Sequence, residues 1–258
     1  MNLHARSSPQ RLREPAPSAA EGLVALDSGE VHVWQLDLAG DCYPDSCQFL
    51  NESEMRRADR FVFERDRSRF IRSRHGLRQI LAFYLKIDPR QLQITLGPHG
   101  KPALKRGHKL GFNLSHSGDR GLLAIGSTAG IGIDIETIRL PPDVRRLARS
   151  VFSADEIRTL DAIADDALSL PFFACWTRKE AYLKAIGVGL TVEPNSVNVG
   201  TETGRRRVQI EGRPGSHFVD VATIFQDDHC VASVAVVGGY SDILIYDCAH
   251  ARKVGLPL

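Results

Sequence analysis

The sequence lacks the features that define several common classes of protein. No apolar run approaches the roughly 18 residues of a membrane-spanning helix. Neither glycine-rich phosphate-binding pattern, GxxxxGK(S/T) or GxGxxG, is present. The five cysteines are an odd number without a CxxC pair, which argues against a disulfide framework or a zinc site. The first residues lack the apolar segment of a secretory signal, so we expect a reducing, cytoplasmic setting and no membrane partner.

Neither sign of charge is in large excess, because the net charge of the 258 residues is only +2. With few aromatic residues between the basic ones, this gives no indication of a nucleic-acid partner. The local distribution is less even: nine arginines lie between Arg56 and Arg78, and no acid lies between Asp66 and Asp88. Such a segment is either a solvated helix face or a surface for an acidic partner.

The hydrophobic pattern predicts an α+β protein. Helices are predicted twice between residues 53 and 86, after the capping-box residues 153–156, and from about 171 to 186. Strands are predicted at 31–38, from 92, three times within 111–137 with 128–130 as a hairpin turn, and near 196–200, 206–211, 217–224 and 229–237.

This order of elements predicts two similar α+β halves. We expect a disordered tail at 1–27, rich in Ser, Pro, Ala and Arg, then halves at 28–130 and 131–250. Each half would pack a long helix on a small, mostly antiparallel sheet. No sequence repeat relates the two halves, so their similarity is predicted from architecture alone.

The stretch GIGIDIE, residues 130–136, places two carboxylates together. Side chains alternate along a strand, so Asp134 and Glu136 share the face opposite three isoleucines. Taken alone, this pattern is typical of a half-exposed strand with its polar residues outward. A second group of misplaced charges makes a functional site the better interpretation.

These charges lie on the helix predicted from 171 to 186. Lys179 falls within its apolar arc, Glu180 falls between apolar residues, and Lys184 follows one turn later. An alternative interpretation is that Lys179 extends to solvent and that Glu180 and Lys184 form a surface pair. Because buried charges are costly unless they are paired or bind a ligand, two of them beside a carboxylate pair indicate a site.

The residue types indicate the chemistry of this site. The three carboxylates of Asp134, Glu136 and Glu180 suit a hard cation such as Mg²⁺, which takes oxygen ligands and shares its coordination with substrate phosphates. Nearby lysines indicate a substrate that carries phosphate. Without a phosphate-binding loop, side chains and a metal would have to hold that phosphate.

Four ordered motifs resemble those of the phosphopantetheinyl transferases, specifically the larger type that activates surfactin synthetase. They are GKPAL (100–104), FNLSHSGD (112–119), GIGIDIE (130–136) and WTRKEAYLKAIGVGL (176–190). The resemblance spans most of the chain, except the tail and the residues beyond about 238. It implies two halves related by a pseudo-twofold axis, with coenzyme A in the cleft between them.

The resemblance also implies roles for particular residues. Asp134, Glu136 and Glu180 would hold Mg²⁺, with Mn²⁺ as a possible substitute. The residues that would bind coenzyme A are Arg57 at its 3′-phosphate, Arg69 and His116 at its phosphates, Lys101 and Ser115 nearby, and Lys179 and Lys184 at its pyrophosphate. Glu156 matches an acid of the family, but the capping box explains it equally well.

The activity implied is that of a holo-acyl-carrier-protein synthase, a 4′-phosphopantetheinyl transferase. It would move the phosphopantetheine arm of coenzyme A to a serine of an acyl or peptidyl carrier protein in fatty acid, polyketide or nonribosomal peptide biosynthesis. Lys184 would assist the leaving phosphate, and Glu180 or a metal-bound water would be the base. We expect a monomer. The alternatives are a metal-dependent coenzyme A pyrophosphohydrolase and a non-catalytic module that binds carrier proteins.

Overall fold

The strands and helices of the chain follow its hydrophobic pattern closely. The structure is a computed structural model that describes residues 12–13, 26–40, 47–97, 99–105, 108, 110–139, 141–187, 192–202, 204–210, 217–247, 251 and 256. Its strands are β1 (Leu12–Arg13), β2 (Val31–Asp37), β3 (Ile94–Leu96), β4 (Pro102–Leu104), β5 (Gly111–Ser117), β6 (Arg120–Gly126), β7 (Ile131–Thr137), β8 (Arg206–Gln209), β9 (Phe218–Gln226), β10 (Cys230–Val237) and β11 (Ile243–Tyr246). Its helices are α1 (Glu52–Ala58), α2 (Glu64–Leu85), α3 (Val144–Val151), α4 (Ala154–Asp161) and α5 (Ser169–Ile186).

Two sheets and a hairpin contain all the described strands. The first sheet has the order β1-β11-β2-β6-β5, in which β11 runs parallel to both its neighbours and the other pairs are antiparallel. The second sheet, β7-β10-β9-β8, is entirely antiparallel. Strands β3 and β4 form the hairpin. Small, mostly antiparallel sheets with separate helices confirm the predicted α+β class.

The sheets and long helices form four layers. Helix α2 packs Leu77 and Ile80 on the outer face of the first sheet, around Trp34. Helix α5 packs on the outer face of the second sheet. The inner faces of both sheets meet in a shared core that includes the three isoleucines of β7, Ile131, Ile133 and Ile135. The predicted packing of one long helix on each sheet is thus observed, while the pseudo-twofold axis stays a prediction.

Two details of the predicted strand pattern are wrong. Strands β6 and β7 do not form a hairpin through residues 128–130, because β2 and β5 occupy both edges of β6 and β7 pairs with β10 instead. The chain therefore crosses from one sheet to the other at this turn. The strand predicted near 196–200 is a short 3-10 turn at Pro194–Ser196 followed by irregular chain.

The last strand departs from the simple division at residue 130. Although β11 lies within 131–250, it pairs with β2 and so completes the first sheet. Of the predicted tail at 1–27, the structure describes only residues 12–13, 26 and 27, and residues 12–13 form β1 at the edge of the same sheet. Both chain ends thus add strands to the sheet of the N-terminal half.

The arginine-rich segment is only partly a solvated face. Arg78 is buried, and its guanidinium donates to Glu54 Oε2 at 2.7 Å and to the carbonyl oxygens of Pro89 and Leu92. Its Nη2 is buried without a hydrogen-bond partner among the described residues, but the other contacts tie α2 to α1 and to the segment before β3. The sequence could not distinguish it from the exposed arginines around it.

Two expectations from composition can be compared with the described residues. Within them, no helix has the length and apolar character needed to cross a membrane. Cys175 and Cys230 are free thiols, and Cys42 and Cys248 lie outside the described part of the chain.

Candidate active site

A close contact between β7 and α5 creates the site. A side chain at Gly132 would place its Cβ 2.1 Å from the carbonyl oxygen of Ala181 and 2.5 Å from the backbone nitrogen of Ala185. Only glycine allows the helix to lie this near the strand. The contact sets Glu180 and Lys184 of α5 against the face of β7 that carries Asp134.

Asp134 is the centre of the site. It is buried, and its Oδ1 accepts hydrogen bonds from Lys184 Nζ at 2.6 Å and from Ser115 Oγ at 2.9 Å. Its Oδ2 is also buried but has no hydrogen-bond partner among the described residues. Burial raises the pKa of Asp134, and the Lys184 ammonium opposes that rise. A buried carboxylate oxygen without a partner is costly, so this atom is suited to bind a cation.

Alternate residues of β5 hold β7 in place. Asn113 Oδ1 accepts from the backbone nitrogen of Ile133 at 2.8 Å, and Ser117 Oγ donates to Glu136 Oε2 at 3.0 Å. Ser115 lies between them and donates to Asp134. Ser115, which was predicted to contact coenzyme A, therefore orients a carboxylate. Ser117 orients Glu136 in the same way, and Asn113 holds the backbone of β7; neither residue was predicted from the sequence. The three residues are two apart along β5 and so share one face of the strand, which is the sequence pattern that could have indicated their shared role.

The two glutamates are half-buried beside Asp134. Burial raises the pKa of Glu136, the charge of Asp134 raises it further, and Trp176 contributes a hydrogen bond that lowers it. Burial also raises the pKa of Glu180. Glu180 makes no hydrogen bond or ion pair with another described residue. Lys184 pairs with Asp134, so the surface Glu180–Lys184 pair considered as an alternative does not form.

These residues fit a hard divalent cation by chemistry. All three candidate ligands offer carboxylate oxygens, the donors that Mg²⁺ and Mn²⁺ prefer. A cation would satisfy Oδ2 of Asp134 and would offset the desolvation that raises the three pKa values. In their described positions, however, no three His, Cys, Asp or Glu side chains converge closely enough to hold a metal.

Several cations lie near enough to His116 to act on its pKa. Burial lowers the pKa of His116, and the charges of Arg74, Lys184, Arg69 and Arg57 lower it further. Four cations near one imidazole repel each other and the protonated ring, which favours the binding of an anion among them. The charges of Arg57, Arg69 and Lys184 thus act on His116, and whether these four residues bind coenzyme A stays a prediction.

Phe70 orients two of these arginines. The guanidinium carbons of Arg57 and Arg74 lie 5.3 and 5.4 Å from the centroid of its ring. Arg74 Nε is buried without a hydrogen-bond partner among the described residues, and burial lowers the pKa of Arg74. The sequence analysis did not single out Arg74. Its position one helical turn after Phe70 was the only signal, and the sequence does not show that Phe70 lies beside the cleft.

Arg69 is held by two carboxylates. Its Nη2 lies 2.7 Å from Asp119 Oδ1, and its Nη1 lies 3.3 Å from Asp66 Oδ1. Asp119 belongs to the turn between β5 and β6, three residues after His116. The ion pair therefore fixes α2 against the strand that carries the histidine.

Lys101 lies at the opposite end of β7. Its Nζ donates to the carbonyl oxygens of Ile131 at 2.8 Å and Ala129 at 3.1 Å, and burial lowers its pKa to about 8. It lines a cavity of about 390 Å³ together with residues of β4, β5 and the end of α5. Lys101 is thus at the rim of a cavity next to the cleft.

Lys179 is not in the cleft, which corrects the prediction that it contacts a pyrophosphate. Its ammonium is buried in an ion pair with Glu156 Oε2 at 2.7 Å, and it also donates to the carbonyl oxygens of Pro194 and Val197. These three acceptors use all the hydrogens of the ammonium group. The charge inside the apolar arc of α5 is therefore explained by a buried partner.

Glu156 is fully engaged in the same structural cluster. Its Oε2 also accepts from the backbone nitrogen of Ser153 at 2.8 Å, as the capping box requires, and its Oε1 accepts from the backbone nitrogens of Val199 and Gly200. The capping box is confirmed. Of the two explanations for Glu156, the structure supports a structural one.

Comparisons with known proteins identify the family of this chain. The family profile described as "4′-phosphopantetheinyl transferase superfamily" matches residues 130–234, and that described as "4′-phosphopantetheinyl transferase, N-terminal" matches residues 41–128. The 4′-phosphopantetheinyl transferase HetI of Nostoc sp. is 36% identical over 83% of this chain and 91% of its own. A phosphopantetheinyl transferase of Thraustochytrium sp. is 31% identical over 80% of this chain and 78% of its own.

A human relative extends this likeness. The L-aminoadipate-semialdehyde dehydrogenase-phosphopantetheinyl transferase of Homo sapiens is 27% identical over 71% of this chain and 66% of its own. These relatives indicate an enzyme that transfers a phosphate-bearing group, and cations near three carboxylates are compatible with that chemistry. The chain belongs to the 4′-phosphopantetheinyl transferase superfamily, and it is a phosphopantetheinyl transferase.

Proposed function

We propose that the enzyme transfers the 4′-phosphopantetheine arm of coenzyme A to a serine of an acyl or peptidyl carrier protein, with Mg²⁺ or Mn²⁺, and releases adenosine 3′,5′-bisphosphate. The observation that carries this proposal is the pairing of opposite charges in one cleft. Several cations lie near His116, and Asp134 leaves one carboxylate oxygen without a partner among the described residues. A pyrophosphate that shares a metal with the protein needs both.

The positions of the cations support coenzyme A as the donor. Arg57, Arg69, Arg74 and His116 would hold the phosphates of coenzyme A. The cavity beside Lys101 has apolar walls, including Leu104 and Phe112, and about 390 Å³ of space, which suits a purine base. The phosphates and the nucleoside would then occupy adjoining parts of one cleft.

The reaction needs few covalent contributions from the protein. The carrier serine attacks the β-phosphorus, and the bond to the adenylate-side oxygen breaks. Lys184 would leave its pair with Asp134 and neutralise that leaving oxygen. Glu180, which has no hydrogen-bond partner among the described residues, would take the serine proton.

Asp134, Glu136 and Glu180 would hold the metal, and its chemistry would be to neutralise the pyrophosphate charge as the bond breaks. Because all three are carboxylates, the metal would be a hard divalent cation that prefers oxygen ligands. Ser115 and Ser117 would keep two of these carboxylates oriented through the hydrogen bonds described above.

Intact-mass spectrometry of candidate apo-carriers tests the proposal. Incubation with coenzyme A, Mg²⁺ and the enzyme should add about 340 Da, the mass of the phosphopantetheinyl group. A carrier with its serine replaced by alanine and a sample with a metal chelator should show no gain. Cleavage of coenzyme A without a mass gain would indicate a pyrophosphohydrolase, and carrier binding with neither reaction would indicate a non-catalytic module.

A further inference from the structure

The loop between α1 and α2 exposes an unusual apolar surface. Among the described residues, four large hydrophobic side chains are exposed, and three of them are consecutive: Phe61 at 37%, Val62 at 88% and Phe63 at 67%. The fourth is Leu96 on β3, at 72%. Contiguous exposed apolar residues mark interaction sites more often than single ones do. We call residues 61–63 the apolar tip.

The apolar tip is held in its exposed position. The backbone nitrogen of Phe61 donates to the carbonyl oxygen of Ala58, and the carbonyl oxygen of Phe63 accepts from the backbone nitrogens of Asp66 and Arg67. The ring of Phe61 also rests on that of Phe70, with centroids 5.5 Å apart. A preformed surface of this kind loses little conformational freedom when a partner binds.

The apolar tip lies close to the arginines that act on His116. Phe70 beneath it carries Arg57 and Arg74, whose charges act on His116 within the cleft. Arg57 and Arg60, next to the tip, are exposed and form no ion pair with a described residue. A partner bound here would meet an apolar centre with unpaired positive charge beside it, close to the phosphate-binding cations.

We propose that the apolar tip and Arg60 form a docking surface for the carrier protein. The partner would present an apolar side chain flanked by acidic residues, because that pattern complements the surface in both hydrophobicity and charge. This inference rests on the proposed function. A lipid surface has similar chemistry, but a bilayer on the tip would cover the cleft that a carrier serine has to reach.

The test compares the double variant Val62→Ser/Phe63→Ser with Leu96→Ser, which removes an equally exposed apolar side chain elsewhere. Binding is measured by fluorescence anisotropy, with the apo-carrier that wild type modifies fastest, its reactive serine replaced by alanine. We expect the double variant to raise the carrier Kd about tenfold or more, the scale for truncating central contact residues. The Kd for coenzyme A and the carrier Kd of Leu96→Ser should stay within about twofold of wild type.

A charge variant adds an independent measurement. Arg60→Glu should raise the carrier Kd several-fold at low salt and less at high salt, since exposed charges are screened over about 8 Å at physiological ionic strength. Unchanged carrier affinity in the double variant would overturn the inference. So would an equal loss of coenzyme A affinity, because that would show a distorted phosphate site. Loss of self-association or of anionic-vesicle binding, with carrier affinity intact, would assign the tip to those partners instead.

The two proposals fail in different ways. If wild type modifies a carrier but the double variant binds that carrier normally, only the docking surface is wrong. If wild type neither modifies nor binds any carrier tested, the proposed function itself fails, and the docking inference fails with it.

Discussion

Helix α5 carries two lysine–carboxylate ion pairs five residues apart, and they differ in how completely they are satisfied. The Lys179–Glu156 pair is almost fully buried, and the structure gives every ammonium hydrogen and both carboxylate oxygens a partner. The Lys184–Asp134 pair has one lysine that is 30% exposed and one carboxylate oxygen with no partner among the described residues.

We infer from this difference that the Lys179–Glu156 pair stabilises the fold, whereas the Lys184–Asp134 pair takes part in the reaction. A buried ion pair with complete hydrogen bonding is stable because neither charge is left uncompensated. An incomplete pair leaves a polar atom that a ligand can satisfy, and a partly exposed lysine can reach that ligand. Four predictions test this comparison.

The largest effect is expected for Asp134→Ala. The variant should lose transfer activity by about 10³-fold, because a metal contributes several kcal/mol of charge stabilisation in such reactions. Thermal unfolding and circular dichroism should show an intact fold, since Lys184 remains partly exposed and keeps Ser115 as a neighbour. Wild-type turnover with Mg²⁺ would show that Asp134 is not a ligand and would remove the basis of the comparison.

Lys184→Ala should lower kcat by about 10²-fold or more, the scale for one positioned electrostatic group. Its Kd for coenzyme A should rise much less, because the charge acts mainly on the leaving oxygen. Lys184→Arg should not restore the full rate, since a planar guanidinium cannot replace a compact ammonium. Lys86→Ala, at an exposed lysine that ends α2, is the matched control. A normal kcat in Lys184→Ala would place Lys184 outside the mechanism.

Lys179→Met should act on stability and leave catalysis nearly unchanged. Removing one partner of a buried ion pair typically costs about 3–5 kcal/mol, because the other charge stays buried without compensation. Chemical denaturation should show this loss, and Lys179→Met/Glu156→Gln should recover part of it. Below its unfolding temperature, the single variant should keep kcat within about threefold of wild type. Lost turnover with normal stability would return Lys179 to the pyrophosphate site.

The smallest effect is expected for Glu180→Gln, which should change how the stability of the protein varies with pH. Burial raises the pKa of Glu180 above its ordinary value of 4.5, Lys184 opposes the rise and Asp134 adds to it. The folded protein therefore binds this proton more tightly than the unfolded chain, so stability falls as the pH rises through the raised pKa.

Without divalent metal, Glu180→Gln should have a Tm a few degrees above wild type near pH 7.5, and the two should agree near pH 4, where Glu180 is protonated in both states. Added Mg²⁺ should raise the Tm of wild type more than that of the variant. A variant less stable than wild type at pH 7.5 would show that Glu180 stabilises the fold, as Glu156 does.

The site could be predicted from the sequence where its residues follow each other along one element. The alternation of β7 placed Asp134 and Glu136 on one face, and the helical spacing of α5 placed Glu180 and Lys184 together. The same reasoning failed for Lys179, since the position of Glu156 relative to α5 depends on packing between distant segments. Arg74 and Trp176 were missed for that reason, because an arginine in a basic run and a tryptophan in an apolar arc have ordinary structural explanations.

The sequence by itself determined the residue types, most of the helices and strands, and the motifs that identify the family, because these depend on local periodicity and spacing. Tertiary structure alone decided that β7 leaves β6 for β10, that β11 returns to the first sheet, and that two lysines of one helix have different partners. These outcomes depend on which edges and buried acceptors distant segments provide. A side chain a few residues along a helix points in another direction, so its role is set by whatever the fold places there.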